Sequence, residues 1–71
     1  MSSEMDTGLP SIRIVQTLIK EGSEVELKVA TDDLIVGKIL WQDPQYLCVV
    51  DHYNQQTIIT RQAIVFMKPK A

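Results

Sequence analysis

Apolar residues first recur at three- and four-residue steps. Ile12, Val15, Leu18 and Ile19 form one face, widened by Ile14 beside Leu18, while Gln16, Thr17 and Lys20 fall on the wet side. This spacing predicts an amphipathic helix. Pro10 and Ser11 mark its start, with Ser11 as the N-cap, and Gly22 is a C-cap that stops it near Glu21. From Ser23 the period changes to two. Val25, Leu27 and Val29 alternate with Glu24, Glu26 and Lys28, the signature of a half-buried strand. Thr31-Asp32-Asp33 is a turn. Leu34 to Gln42 is a second, almost continuously apolar strand interrupted by Gly37, where the chain bends or another backbone comes close.

Gln42-Asp43-Pro44-Gln45 is a turn, Tyr46 to Asp51 a buried third strand, and His52 to Gln55 a polar loop. Gln56 to Thr60 is a short fourth strand. Arg61-Gln62-Ala63 is a break with room for one helical turn. Ile64 to Met67 is a fifth strand, ended by Lys68-Pro69-Lys70. One helix followed by five short strands on tight turns predicts a mainly β fold: a strongly bent, five-stranded antiparallel sheet, or small open barrel, with the helix over one end. The last two strands are apolar, and an open edge there invites another chain. Copies joined head to tail along such edges close into a ring if the rotation permits.

Composition sharpens this picture. A chain of 71 residues is one small domain. At that size only ~60% of the unfolded surface is buried, so the core needs support. One cysteine, Cys48, excludes an internal disulfide. With one histidine, His52, no ligand pair exists for a structural metal, and no cofactor is expected. Oligomerisation is the remaining route.

Met1–Gly8 is polar and carries Glu4 and Asp6. It reads as a flexible N-terminal arm rather than a signal peptide, with residues 9–71 as the folded domain. No apolar run is long enough for a membrane span, so no membrane insertion is expected. The free cysteine and the missing export signal suggest the cytoplasm. Net charge is −2, and without the two acids of the arm the seven basic residues balance seven acidic ones. A neutral body has no global field for nucleic acid, so any such site is local or repeated by symmetry.

Two stretches carry a family resemblance. Leu9-Pro10-Ser11-Ile12-Arg13-Ile14-Val15-Gln16-Thr17-Leu18-Ile19 resembles the LPSxRxVQxLI start of the cyanobacterial branch of the Hfq family, within the Sm-like superfamily. Trp41-Gln42-Asp43 resembles its WQD turn. The glycine-centred strand and the tripeptide before Ala63-Ile64 fit the general Sm-like pattern, and the likeness runs from Leu9 to Lys70. It implies a six-membered ring with strands shared between neighbours, no enzyme activity, and RNA binding on three surfaces: a proximal face around the pore, a distal face and an outer rim.

Residue by residue, these surfaces are unequally kept. The proximal pocket of typical members uses a Tyr-Lys-His tripeptide, which here reads Thr60-Arg61-Gln62. The resemblance gives Arg61 the role of a bidentate phosphate donor, Gln62 an amide for a uracil edge, Tyr46 the stacking ring, and Ser11 the place of a longer base-reading glutamine. The bland alternative is that Arg61 and Gln62 only fix a turn. On the distal face Lys28 replaces the stacking aromatic and Thr57 its glutamine partner, which forfeits ~1–3 kcal/mol per base. At the rim an arginine cluster is reduced to Ile19, Lys20 and Gly22. A third-strand lysine has become Asp51, leaving Lys20 as a weak contact better read as a solvated side chain.

Asp43 matches a family acid expected to accept backbone donors in its turn. Trp41 is expected in the barrel; if exposed, it is a protein-binding anchor. Cys48 reads as inert packing and His52 as a loop histidine. No nucleophile, paired carboxylates or phosphate loop is visible, so an enzyme is not expected.

Two functions follow from the resemblance. One is a non-enzymatic RNA chaperone ring in post-transcriptional regulation, with reduced affinity for U-rich or small regulatory RNA. The other is a protein-docking ring, with the type IV pilus assembly ATPase as partner and a role in motility. An unrelated SH3-like or OB barrel is the fallback at the level of fold.

Overall fold

A computed structural model describes residues 8–70, so all but Gly8 of the expected arm lies outside the described residues. The helix, α1, spans Pro10–Glu21. Its N-cap is Leu9, in extended conformation, and no side chain caps it. Ser11 therefore sits inside the first turn and is not the cap. Pro10 takes the first helical position, where its missing N–H costs nothing and its fixed φ suits the helix. The other end follows the expectation. Gly22 adopts φ 64°, and the N–H groups of Gly22 and Ser23 donate to the carbonyls of Ile19 and Leu18 at 3.2 Å, a Schellman closure.

Five strands follow: β1 Glu24–Val29, β2 Leu34–Gln42, β3 Tyr46–Val50, β4 Gln56–Thr60 and β5 Ile64–Pro69. The break before β5 is one 3-10 turn, Arg61–Ala63. Compared with the sequence reading, β3 stops one residue earlier and β5 runs two residues further. The extension has a partner: Val25, Glu26 and Leu27 pair with Pro69, Lys68 and Met67. All pairings are antiparallel in the order β4-β3-β2-β1-β5, so the sheet is not closed and β4 and β5 are its two margins.

The core lies between α1 and one face of the sheet. Val15 and Leu18 meet Val25, Leu27, Val29, Ile39, Leu47, Val49 and Ile59 there. Full burial of each such aliphatic is worth about 1.5–3 kcal/mol. Ile14 is not part of this face: it is 60% exposed, because the stripe through Ile12, Val15 and Leu18 already fills the contact with the sheet. Trp41 also departs from expectation. The ladder slips between Ile39 and Trp41, so Trp41 pairs with Cys48 and remains 38% exposed rather than entering the core. Cys48 is fully buried, as expected of inert packing.

Gly37 marks a close approach of strands. A Cβ there would overlap the carbonyl oxygen of Val50 and lie 2.9 Å from Val49 Cγ1 and 3.0 Å from the Val50 carbonyl carbon. Only glycine lets β2 and β3 lie this close here.

The register also fixes which backbone groups are left open. Asp51 N–H donates to Gln55 O and Arg61 N–H to Gln45 O, at 3.0 and 2.9 Å. Hydrogen-bonded pairs alternate in an antiparallel ladder, so Thr57 and Ile59 face β3, whereas the N–H and C=O of Gln56, Ile58 and Thr60 point off the sheet. On β5, Lys70 N–H donates to Glu24 O at 2.9 Å, which by the same alternation turns Met67 and Pro69 outward. Pro69 thus loses no ladder bond, as expected of proline on an edge.

Candidate nucleic-acid interface

The β2–β3 turn is organised by one carboxylate. Asp43 Oδ1 accepts from the backbone N–H of Gln45 at 2.9 Å and of Tyr46 at 2.6 Å, and Asp43 N–H donates to Tyr46 O at 3.0 Å. This is the structural role expected of Asp43. Removing that acceptor strands both donors, so Asp43→Ala should lose about 1–3 kcal/mol in a urea titration, and Asp43→Asn, which keeps Oδ1, should recover most of it.

The 3-10 turn brings Arg61 and Gln62 against this turn. Tyr46, Arg61 and Gln62, three of the four proximal candidates, line one concavity of about 220 Å³ with Pro44, Gln45 and Thr60. Tyr46 is 40% exposed. Ser11 is not in that concavity. It lies in a neighbouring, largely apolar groove of about 260 Å³ between α1 and β5, which Arg61 also lines. Arg61 is the common wall of the two.

Arg61 is not a free surface cation. Its Nη1 donates to Gln42 Oε1 at 2.9 Å and to Asp43 O at 3.4 Å. Gln42 Nε2 in turn donates to Gln16 Oε1 at 2.8 Å and to Ile12 O at 3.3 Å. The guanidinium is half-buried, and Nε and the whole of Nη2 have no protein partner among the described residues. Three of its five N–H donors are thus available to an anion. Arg61 thus braces the turn and keeps donors to spare.

The other candidates are not assembled within one chain. Lys28 stands on β1 and Thr57 on β4, the far edge of the sheet. Lys28 Nζ is 3.2 Å from Asp32 Oδ1, an exposed pair of little energetic weight that still occupies the cation. Lys20 is exposed in the last turn of α1. Asp51 is engaged in its own loop, where Oδ1 accepts from the N–H groups of Tyr53 and Gln55 at 2.9 and 3.0 Å. His52 leaves the loop to meet Glu24, Nε2 to Oε2 2.9 Å.

Gln42, Gln45 and Pro44 are the site residues the sequence reading missed. Gln45 and Pro44 were visible only as turn residues. Gln42 differs: polar at the inward end of an apolar strand, it was a signal that an amide is needed there. Among the described residues no three His, Cys, Asp or Glu side chains gather as a metal site would require. No helix among the described residues is long and apolar enough to cross a membrane.

The fold is shared with known proteins. Residues 9–69 match the sequence model of a family described as Hfq related. Among solved structures, the chain is similar to the crystal structure of an Hfq protein from Anabaena sp., at 50% identity and a TM-score of 0.80, covering 87% of this chain and 98% of that one. Comparison with curated proteins gives no match.

Proposed function

The chain belongs to the Hfq-related family of Sm-like proteins, and from that premise we propose that it is a non-enzymatic RNA-binding protein acting as a ring of six copies in post-transcriptional regulation. Two sheet margins with outward backbone donors and acceptors, on β4 and β5, suit pairing of each copy with the next. Closure would set one Arg61 per copy around a common axis. A body with little net charge would thereby gain a local basic centre. Arg61 would take phosphate, Tyr46 would stack a base, Gln62 would offer its amide to a base edge, and Ser11 would form the outer wall.

The observation that carries this reading is the single concavity shared by Tyr46, Arg61 and Gln62, with three guanidinium donors unspent. The distal pair, Lys28 and Thr57, and the rim residue Lys20 contribute weak contacts, and overall RNA affinity is reduced. Filter binding of U-rich and A-rich oligonucleotides tests the assignment. Arg61→Ala should weaken U-rich binding at least about tenfold and flatten its salt dependence, because a phosphate contact and its released counterion are lost. Unchanged U-rich affinity would remove the proximal site.

A second reading is favoured by a different observation. Lys28 is occupied by Asp32, while Trp41 and Leu40 are exposed at 38% and 47% beside β3. An exposed tryptophan is a common protein anchor. On this reading the ring docks a protein, with the type IV pilus assembly ATPase as the partner suggested by resemblance. Pull-down from native lysate separates the two: small RNAs recovered without a pilus protein would exclude it.

A further inference from the structure

We infer that Gln42 is the positioning residue of the anion site, and that it holds the Arg61 guanidinium in place by tying it to the backbone of α1; this rests on the reading of Arg61 as the RNA contact. Gln42 is the last residue of β2 and pairs with buried Leu47, which aims its amide beneath the helix instead of into solvent. There the amide is used at both ends. Oε1 accepts from Arg61 Nη1 at 2.9 Å, and the two Nε2 hydrogens go to Gln16 Oε1 at 2.8 Å and Ile12 O at 3.3 Å. A reversed amide would put its N–H groups against the donor-only guanidinium of Arg61 and its oxygen against the Ile12 carbonyl oxygen, so one orientation is strongly preferred.

The anchor is rigid where it matters. Ile12 is buried in α1, its carbonyl is part of the helix, and Gln16 is one turn further on the same element. Arg61 is fixed through Nη1, and its Nε and Nη2 are left as a fork of set direction. Arginine carries much rotamer freedom, and binding an anion ordinarily costs that freedom. Gln42 removes part of that cost before the ligand arrives. It touches no ligand itself.

A double-mutant cycle on the full chain, read by binding of a short oligouridylate, tests this. Gln42→Met should weaken binding about three- to tenfold in the parent and less than about twofold in the Arg61→Ala background. In NMR spectra, the Arg61 Nε–H resonance should be dispersed in the parent and averaged toward the solvent-exposed position in Gln42→Met. If Gln42→Met does not fold, Gln16→Ala on the exposed side of α1 decides. It should weaken binding about two- to threefold, and this loss should vanish in the Arg61→Ala background.

Equal losses in both backgrounds would mean that the amide serves the fold alone, and would overturn the inference. So would a full effect of Arg61→Ala with none from Gln42→Met or Gln16→Ala. An Arg61→Ala protein that binds as the parent does would overturn the RNA reading together with the inference. That result is distinct, because it is seen in the single Arg61 variant.

Discussion

Gly37→Ala should cost this protein at least about 3 kcal/mol, and Gly37→Val should leave it unfolded at ambient temperature. The added methyl group would meet the main chain of Val50 and the Val49 methyl group at 2.9 Å, neither of which is the far end of a flexible side chain. Relief requires β2 and β3 to separate. That separation would disturb the pairings Ile39↔Val49 and Lys38↔Val50 and open the core around Ile39, Leu47 and Val49. A small domain holds only a few kcal/mol in reserve, so the loss is close to its whole stability. Urea unfolding followed by circular dichroism measures it. A Gly37→Ala unfolding free energy within about 1 kcal/mol of the parent would show that β2 and β3 do not lie so close at this point.

Ile58→Pro should have the opposite character, with subunits that stay folded and no longer assemble. The N–H of Ile58 points away from β3, so proline there removes no bond from the β3–β4 ladder and deletes a donor from the open margin. Thr57→Pro, one residue earlier, removes a donor that faces β3 and should unfold the strand itself. The pair separates assembly from folding on adjacent residues. Light scattering should give the chain mass for Ile58→Pro while its far-UV spectrum stays β-like. An Ile58→Pro protein of parental mass would mean that copies do not join through β4.

The helix and β1 were legible in the sequence because each announces its own period, and the other four strands because turn and loop residues bound their short apolar runs. The stripe Ile12, Val15, Leu18 repeats as a helix does, and Val25, Leu27, Val29 alternate as a strand does. The C-cap was legible because Gly22 alone suits a left-handed φ without strain. What failed was local competition between equivalent signals. Pro10 and Ser11 both mark a start, and proline took the first position. Ile14 and Trp41 are apolar, but apolar character does not say which side a side chain faces once the stripe is full or the ladder slips.

The candidate site was half legible. Tyr46, Arg61 and Gln62 were named from family likeness, and the fold sets them around one concavity. The link from Arg61 through Gln42 to Gln16 was not, since it joins residues 19 and 26 positions apart. Such a contact exists only after the turn at Asp43 and the 3-10 turn are both in place.

The proposed RNA site depends on copies meeting through the margins β4 and β5 around one axis, so that a single Arg61 per chain becomes a basic centre. The molar mass of the native protein in solution, by light scattering at micromolar concentration, tests this most directly. The expected mass is about six times the chain mass of 8.0 kDa, independent of dilution over that range. A mass of 8.0 kDa at every concentration would contradict it.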